Sequence, residues 1–447
     1  MSGRTFWCEL AWLGGDRAEA GVLVEVEGER IASVRPDVAA APAGAERLDG
    51  LTIPGLANAH SHAFQRALRG RAQERGGGSF WDWRERMYAL AGRIDPDGYR
   101  ALARACYGEM ALAGITAVGE FHYLHHRPGG EPYEDPNALG LAVIEAAAQA
   151  GIRMTLLDVC YLAGGIGEPL GPRQRRFGDR DATVWAERVD DLTAPGDALV
   201  GAAIHSVRAV DPAAAATVAA WAGARDRPLH AHVSEQPAEN EAALAAHGRT
   251  PTAILADAGA LEARFTAVHT THLTDGDVAL LGGSRACCCI CPTTERDLGD
   301  GIGDGRRLAD AGCSLALGSD SQALIDPFEE ARALELDQRL ASGRRGVHSA
   351  AELLAAATAG GQASIGRDDA GSIAAGMRAD LVNVALDGPR LAGTAAANAL
   401  ESLVYAAAPA DVRAVISGGR EIVSGGVHAA IDVGAELEAA IAALEGG

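Results

Sequence analysis

The sequence predicts an α/β protein, a (β/α)8 barrel of the TIM type beside a small β-sandwich domain that is built from both termini. Between about residues 51 and 370, apolar strands alternate with Ala-rich segments of helical composition. Eight such alternations specify a parallel barrel, whose chemistry lies at the carboxyl ends of the strands. Short strand-like segments with Gly and Pro punctuation come before and after this region, and they predict the second domain.

The order of the elements follows from this alternation. Helical segments such as DPDGYRALARACYGEMALAG begin at Asp or Pro, residues that are typical of helix starts. We expect the sandwich to combine residues 1–54 with residues 371–447, the barrel to span residues 55–370, and GAELEAAIAALEGG to form a surface helix. The expected barrel strands are 52–59, 115–121, 152–159, 200–205, 229–233, 265–269, 286–291 and 314–319.

Composition narrows the possible classes of protein. The chain has 447 residues, of which 48% are hydrophobic and 22% charged, as in a globular protein. The formal net charge of −21 argues against a nucleic-acid partner or an anionic membrane, because both would repel the chain. We see no basic-plus-apolar leader and no long uncharged apolar run, so we expect a soluble cytoplasmic protein with no membrane partner.

The eight cysteines are expected to be reduced core residues. A disulfide framework is unusual in a chain of this length and predicted location. The CCCIC run lies in an apolar strand, where a thiol behaves as a small hydrophobic side chain. The clustered positions are Cys287, Cys288, Cys289 and Cys291.

Residues at the ends of three predicted strands form a metal-binding set. His60 and His62 in PGLANAHSHAF are two residues apart, so a strand places both on one face. His232 in PLHAHVSEQ and Asp320 in ALGSDSQA complete the set. Three imidazoles and one carboxylate suit Zn²⁺ or Fe²⁺ with one position open for water, whereas a closed structural site would more often contain cysteines. Water bound to such an ion becomes hydroxide near neutral pH, so the set indicates hydrolysis.

Two of these assignments have an alternative. His230 has the same spacing to His232 as His60 has to His62, and only one of the second pair need bind the ion. We choose His232 because it is nearer the strand end, which leaves His230 a packing or outer-shell role. Asp320 could instead cap the following helix, but the histidines favour its role as a ligand.

The chain contains no lysine, and all 39 of its basic residues are arginines. A carbamylated lysine that bridges two metal ions is therefore impossible, as is Schiff-base catalysis by lysine. We expect one divalent metal ion per chain, Zn²⁺ before Fe²⁺.

Two further residues are candidates for proton transfer and charge stabilisation. Glu235 comes three residues after His232, where a carboxylate beside an activated water can carry a proton to a leaving group. Its plainer interpretation is a solvated loop glutamate. His269, at the end of FTAVH, is the candidate for polarising the electrophile, and the nearby His272 is expected to lie further from the chemistry.

Several motifs together resemble the amidohydrolase superfamily, and within it the formimidoylglutamate deiminases. The resemblance runs from about residue 50 to 340, and GSIAAGMRADLV near the C-terminus is typical of the wider superfamily. It implies a mononuclear, usually zinc-dependent enzyme that converts N-formimidoyl-L-glutamate and water to N-formyl-L-glutamate and ammonia in histidine degradation. We also expect a homodimer. The motifs are PGLANAHSHAFQRALRG, SFWDWRERM, VGEFHYLHH, IHSVRAV, HAHVSEQ, VHTTH, CPTTERDLGDGI and GSDSQALIDPFEE.

The same resemblance implies roles for individual residues. A substrate with two carboxylates favours planar arginine forks and a tyrosine hydroxyl, which suits the predicted contacts. The implied metal ligands are His60, His62, His232 and Asp320; the implied catalytic residues are Glu235, His269 and Asp320; the implied substrate contacts are Gln65, Arg84, Tyr123, His205 and Arg208.

Two other functions stay open at the level of sequence. Another aminohydrolase, such as a guanine or other nucleobase deaminase, would share the metal ligands but would need no paired arginines. A non-catalytic barrel homologue is the second, and the intact ligand set together with Glu235 argues against it. Trp81 and Trp83, in the loop region after the first barrel strand, are equally compatible with a binding lid and with ordinary packing.

Overall fold

The computed structural model describes residues 3–73, 80–261 and 264–445. The strands of this part of the chain form two eight-stranded sheets. No helix in the described ranges is long and apolar enough to cross a membrane. The strands are β1 (Arg4–Ala11), β2 (Glu19–Glu27), β3 (Arg30–Arg35), β4 (Glu46–Pro54), β5 (Leu56–Ser61), β6 (Ile115–His122), β7 (Arg153–Cys160), β8 (Leu199–Ile204), β9 (Leu229–Val233), β10 (Phe265–His269), β11 (Cys287–Ile290), β12 (Ser314–Leu317), β13 (Leu381–Val384), β14 (Val412–Ser417), β15 (Arg420–Ser424) and β16 (Val427–His428).

The helices lie mostly between the strands of the second sheet. They are α1 (Phe80–Ala91), α2 (Pro96–Leu112), α3 (Ala138–Ala150), α4 (Ala182–Asp190), α5 (Pro212–Ala224), α6 (Pro237–His247), α7 (Pro251–Asp257), α8 (Asp275–Ser284), α9 (Pro292–Leu298), α10 (Gly305–Asp310), α11 (Pro327–Ser342), α12 (Ala350–Ala355), α13 (Gly361–Ser364), α14 (Ala399–Ala406) and α15 (Val433–Glu445). Short 3₁₀ segments occupy Ala63–Leu68, Arg175–Phe177, Ala396–Asn398 and Pro409–Asp411, and a π-helical turn at Ala356–Gly360 joins α12 to α13.

Strands β5 to β12 form the predicted barrel. They lie in chain order and each pairs in parallel with the next. The first and last strands meet through a parallel bridge between Ser61 and Asp320. There, the N–H of His62 donates to the carbonyl of Asp320 and the N–H of Asp320 donates to the carbonyl of His60, both at 3.0 Å. The expected α/β barrel is confirmed.

The first expected strand, 52–59, is divided in the structure. β4 ends at Pro54 and belongs to the terminal sheet, whereas β5 begins the barrel at Leu56. Gly55 lies at the break, where an added Cβ would come within 2.3 Å of Oγ1 of Thr116. The apolar run LTIPGLANA is continuous in sequence, so its hydrophobic pattern gives no sign of this division.

The other sheet joins the two ends of the chain, as predicted. Its order is β16-β15-β14-β13-β4-β1-β2-β3, and the N-terminal and C-terminal parts meet where β4 pairs antiparallel with β13. A separate apolar core that includes Phe6, Val24, Leu381 and Ile416 packs within this unit. The domain limits at residues 1–54, 55–370 and 371–447 stay a prediction.

Several barrel helices begin at an Asp-Pro pair, and the structure shows why. The side chains of Asp95, Asp211 and Asp326 accept backbone N–H groups of the first turns of α2, α5 and α11, and proline is the first helical residue each time. Such caps stabilise a helix start by about 1 kcal/mol each. The helix starts expected at Asp95 and Asp211 are therefore confirmed, and α11 begins in the same way at Asp326.

All eight cysteines are buried free thiols. Burial raises the pKa of Cys287 to about 12, so this thiol stays protonated at neutral pH. The interpretation of the CCCIC run as strand core is confirmed for β11.

Candidate active site

Four predicted residues converge at the carboxyl ends of three barrel strands. His60 lies in β5 with His62 just after it, His232 lies in β9, and Asp320 follows β12. Nε2 of His60 is 3.1 Å from Nε2 of His232 and 3.4 Å from Oδ1 of Asp320. Nε2 of His62 is 3.2 Å from the same carboxylate oxygen. All four side chains are buried, and they direct their donor atoms at one small volume.

The spacing of these donor atoms fits a divalent ion. Ligand atoms about 2.1 Å from one ion at near-tetrahedral angles are roughly 3.4 Å apart. The separations found here are 3.1, 3.2 and 3.4 Å. In addition, Nδ1 of His62 lies 3.0 Å from the carbonyl oxygen of Phe121; donation to this oxygen leaves Nε2 unprotonated and directed at the other donors.

The protonation states of these residues also suit a cation. Burial lowers the pKa of His60 to about 3 and holds that of His232 well below its usual value. Burial alone would raise the pKa of Asp320, but the adjacent His60 and His62 outweigh it and hold the pKa well below the usual range. Neutral imidazoles beside an ionised carboxylate are the forms that bind a metal ion.

His269, at the end of β10, faces the same volume from another side. Its Nε2 is 3.8 Å from Oδ2 of Asp320 and 3.8 Å from Oε1 of Glu235. Its Nδ1 is 3.4 Å from Oε1 of the buried Glu295. Burial alone would lower the pKa of His269, but the hydrogen bond with Glu295 and the carboxylates of Glu235 and Asp320 raise it to about 10. His269 can therefore donate a hydrogen bond from Nε2 to negative charge that develops in the site.

The backbone at these strand ends is unusual. His269 has φ of 70° and Asp320 has φ of 45°, in the left-handed region that side chains disfavour. Ser234, directly before Glu235, has φ of 53°. Such conformations cost on the order of 1–3 kcal/mol each and persist where the surrounding structure enforces them. Strain thus concentrates at the residues that aim the predicted catalytic groups.

One cavity brings the predicted substrate contacts to the donor set. Within it, Nε2 of Gln65 donates to the Tyr123 hydroxyl at 2.7 Å, which fixes two polar groups on one wall. Its lining includes Gln65, Arg84, Tyr123, His205 and Arg208 together with His62, His232, Glu235, His269 and Asp320. All five predicted contacts therefore face the volume in which the predicted catalytic groups lie.

Helix α1 supplies another wall of this cavity. Trp83, Arg84, Met87 and Tyr88 line it, and the Arg84 guanidinium lies 5.6 Å from the centre of the Tyr88 ring. The side chain of Trp81 lies outside the described residues. For Trp83, the position in the lining favours a contribution to binding over packing alone.

Arg208 contacts more than the cavity. Its Nη2 donates to Oε2 of Glu235 at 2.7 Å, and its Nε lies 3.9 Å from Oε2 of Glu239. The same Glu239 oxygen accepts the backbone N–H of Glu235 at 3.2 Å. Burial opposes the charged form of Arg208, but Glu239 and Glu235 outweigh it and raise the pKa. The guanidinium expected to meet a substrate carboxylate is thus already paired with a predicted catalytic residue.

Sequence reasoning missed Glu295 and Glu239. Glu295 lies four residues after Cys291, in the first turn of α9, which directly follows barrel strand β11. A carboxylate just past a barrel strand is a signal that could have identified it. Glu239 has the same kind of position, in the first turn of α6 after barrel strand β9, although a helical glutamate is ordinarily solvated. His230 is the residue that the sequence left as an alternative ligand to His232. Its Nε2 lies 2.9 Å from the carbonyl oxygen of Ser364, to which it bonds.

Comparisons with known proteins agree with this geometry. The amidohydrolase family model matches residues 51–422. The chain is 40% identical to a formimidoylglutamate deiminase from Pseudomonas aeruginosa, over 89% of this chain and 90% of the relative. It is 28% identical to a 5-methylthioadenosine/S-adenosylhomocysteine deaminase from Pelotomaculum thermopropionicum, over 89% of this chain and 88% of the relative.

Solved structures give the same result for the fold. An amidohydrolase from Brucella melitensis superposes with a TM-score of 0.91 at 34% identity, covering 99% of this chain and 100% of the other. An adenosine deaminase from Xanthomonas campestris with bound zinc has a TM-score of 0.83 at 23% identity, covering 99% and 97%, and shows the shared fold alone. This chain belongs to the amidohydrolase family.

Proposed function

We propose that this chain hydrolyses N-formimidoyl-L-glutamate to N-formyl-L-glutamate and ammonia, as a step of histidine degradation. Its family and its 40% identical relative make it a metal-dependent hydrolase of carbon–nitrogen bonds. The observation that carries the choice of substrate is one cavity that combines His62, His232 and Asp320 of the donor set with Arg84 and Arg208. Two guanidinium groups in one small cavity suit a dicarboxylate, whereas a neutral nucleobase carries no charge for them to neutralise.

His60, His62, His232 and Asp320 would hold the ion, and we propose one per chain, Zn²⁺ before Fe²⁺. When bound, such an ion supplies Lewis-acid chemistry and lowers the pKa of a coordinated water toward neutrality. Support comes from the 3.1 to 3.4 Å spacing of the donor atoms and from the lack of lysine.

The remaining roles belong to side chains of the chain itself. Glu235 accepts a proton from the attacking water and passes it to the amidine nitrogen that leaves as ammonia. Oδ2 of Asp320 is the second group that can accept a proton from the attacking water. His269 directs Nε2 toward the volume beside both carboxylates, at 3.8 Å from each, where it stabilises the tetrahedral intermediate by donating a hydrogen bond.

The covalent structure of the substrate suggests which arginine meets which carboxylate. The α-carboxylate is attached to the carbon that carries the formimidoyl nitrogen, so its anchor has to lie beside the proton-transfer groups. Arg208 satisfies this condition, because it contacts Glu235 directly. The γ-carboxylate lies two methylene groups further away, and we assign it to Arg84 on α1.

The test is a panel of substrates assayed by ammonia release. Formimidoyl derivatives of L-glutamate, L-aspartate and glycine would be compared with guanine and adenosine on the metal-loaded protein. We expect the highest kcat/KM for N-formimidoyl-L-glutamate and a loss of at least about tenfold for the glycine derivative, which lacks the second carboxylate. Preferential turnover of guanine or adenosine would contradict the proposal, and no turnover of any member after metal loading would favour the non-catalytic alternative.

We further propose a homodimer in the cytoplasm. The net charge of −21 supports the expectation of no nucleic-acid partner. Sedimentation of the purified protein tests the dimer, and fractionation of the source cells tests the compartment.

A further inference from the structure

Arg208, which lines the cavity, lies between two buried carboxylates, those of Glu235 and Glu239. Its side chain is 14% exposed, whereas those of Glu235 and Glu239 are 8% and 0% exposed. Nη2 donates to Oε2 of Glu235 at 2.7 Å and Nε donates to the Ser206 hydroxyl at 3.2 Å. A charged hydrogen bond as short as this one, shielded from water, holds its two partners in a fixed geometry.

This contact sets two requirements of the reaction against each other. Arg208 has to bind the substrate carboxylate, and Glu235 has to accept and return a proton. While the two are paired, Oε2 of Glu235 is occupied by the guanidinium, and the other oxygen, Oε1, faces His269 at 3.8 Å.

We propose that the Arg208–Glu235 ion pair is a specificity device, in which a substrate carboxylate takes over Nη2 of Arg208 and thereby releases Glu235 for proton transfer. The inference rests on the proposed function and adds a coupling between binding and chemistry. Glu239 keeps both partners in place during the exchange, since it accepts the backbone N–H of Glu235 and lies 3.9 Å from Nε of Arg208.

The exchange discriminates between substrates at the chemical step. An amidine without a carboxylate can enter the cavity, but it leaves Arg208 on Glu235 and therefore reacts slowly even when bound. Rejection of such compounds then appears in kcat, whereas a simple anchoring role for Arg208 would appear in KM.

The experiment divides the substrate into two fragments at the bond between the formimidoyl nitrogen and the α-carbon. Formamidine supplies the reacting group and glutarate supplies both carboxylates. Hydrolysis of formamidine to formamide and ammonia is followed on the metal-loaded protein with and without glutarate. We expect glutarate to raise kcat for formamidine at least about tenfold, the effect of freeing one charge-assisted hydrogen bond, with a much smaller change in KM.

Two variants accompany the wild type. Arg208→Met, checked for metal content and melting temperature, should give the same kcat for formamidine with and without glutarate, and should lose efficiency on N-formimidoyl-L-glutamate. Arg249→Met is the matched control, because Arg249 pairs with Asp257 on the surface at 2.7 Å, and it should respond to glutarate as the wild type does.

The outcomes separate the inference from the proposed function. Turnover of N-formimidoyl-L-glutamate by the wild type, with formamidine hydrolysis absent, inhibited or unchanged in kcat on adding glutarate, would overturn the inference alone. Activation that survives in Arg208→Met would also overturn it. No turnover of N-formimidoyl-L-glutamate would instead reject the proposed function.

Discussion

At the scale of single residues, Glu235 allows chemistry to be separated from metal binding. Glu235→Gln keeps the shape of the side chain but cannot shuttle a proton. We expect kcat to fall by roughly 10²–10⁴-fold while metal content stays near one ion per chain. Steady-state kinetics with elemental analysis checks this. Glu241→Gln, at an exposed position of α6, the helix that follows Glu235, is the control that should retain full activity. A variant that lost its ion would show that Glu235 is a ligand.

Glu295 offers a second prediction at this scale, through its contact with Nδ1 of His269. Glu295→Gln removes a charge that helps to raise the pKa of His269, so the pKa should fall. Because the protonated imidazole is then lost at lower pH, the alkaline limb of the kcat profile should move toward neutral pH. Glu330→Gln is the control, since Glu330 is equally buried but accepts from Thr293. Lower activity with no shift of the alkaline limb of the kcat profile would show that Glu295 contributes only to packing.

Arg188 connects several elements behind the cavity. This buried side chain of α4 bonds to Asp158 at the end of β7 and to Asp179, which follows the 3₁₀ segment that carries Phe177 of the cavity lining. Breaking a buried ion pair by removing one partner costs about 3–5 kcal/mol. We expect a loss of this size in the free energy of unfolding for Arg188→Met, measured by denaturant titration.

The pH dependence of this effect has a definite sign. Burial alone would raise the pKa of Asp179, but His126 and Arg188 outweigh it and hold the pKa below its usual value. Its stabilisation is therefore present above the unfolded pKa of about 3.9 and is lost as pH falls. The cost of Arg188→Met should shrink in acid. Arg180→Met is the control, because Arg180 and its partner Asp181 lie on the surface, where an ion pair contributes little to stability.

Sequence patterns predicted the elements better than the contacts between them. The eight barrel strands follow from hydrophobic periodicity, and His60, His62, His232 and Asp320 follow from their places at strand ends. The division of the first expected strand at Gly55 could not be predicted from the sequence, because it depends on the approach of Thr116 from another strand. The pairing of Arg208 with Glu235 joins residues 27 positions apart. Hydrophobic periodicity does not predict which way two such distant side chains point.

At the scale of the whole molecule, we expect one divalent ion per chain. His232→Ala should lose the ion, whereas His230→Ala, two residues away in the same strand, should keep it because His230 bonds to a backbone carbonyl. Elemental analysis of both variants and of the wild type checks the count. A chelator should lower the melting temperature, since an ion that binds only the folded chain stabilises it. Two tightly held ions per wild-type chain would contradict the prediction.

The bridge between Ser61 and Asp320 joins the first and last strands of the barrel. It thereby brings together the proposed metal ligands that these two strands carry. His60 and Asp320 are separated by 260 residues, the difference between their numbers. A ribosome that adds about 5–20 residues per second delivers the second roughly 13–52 s after the first. An ion that binds during that interval is coordinated by histidines without the Asp320 carboxylate. Its coordination is incomplete until all the barrel strands have been synthesised. The complete ligand set for the ion therefore forms only at the end of barrel synthesis.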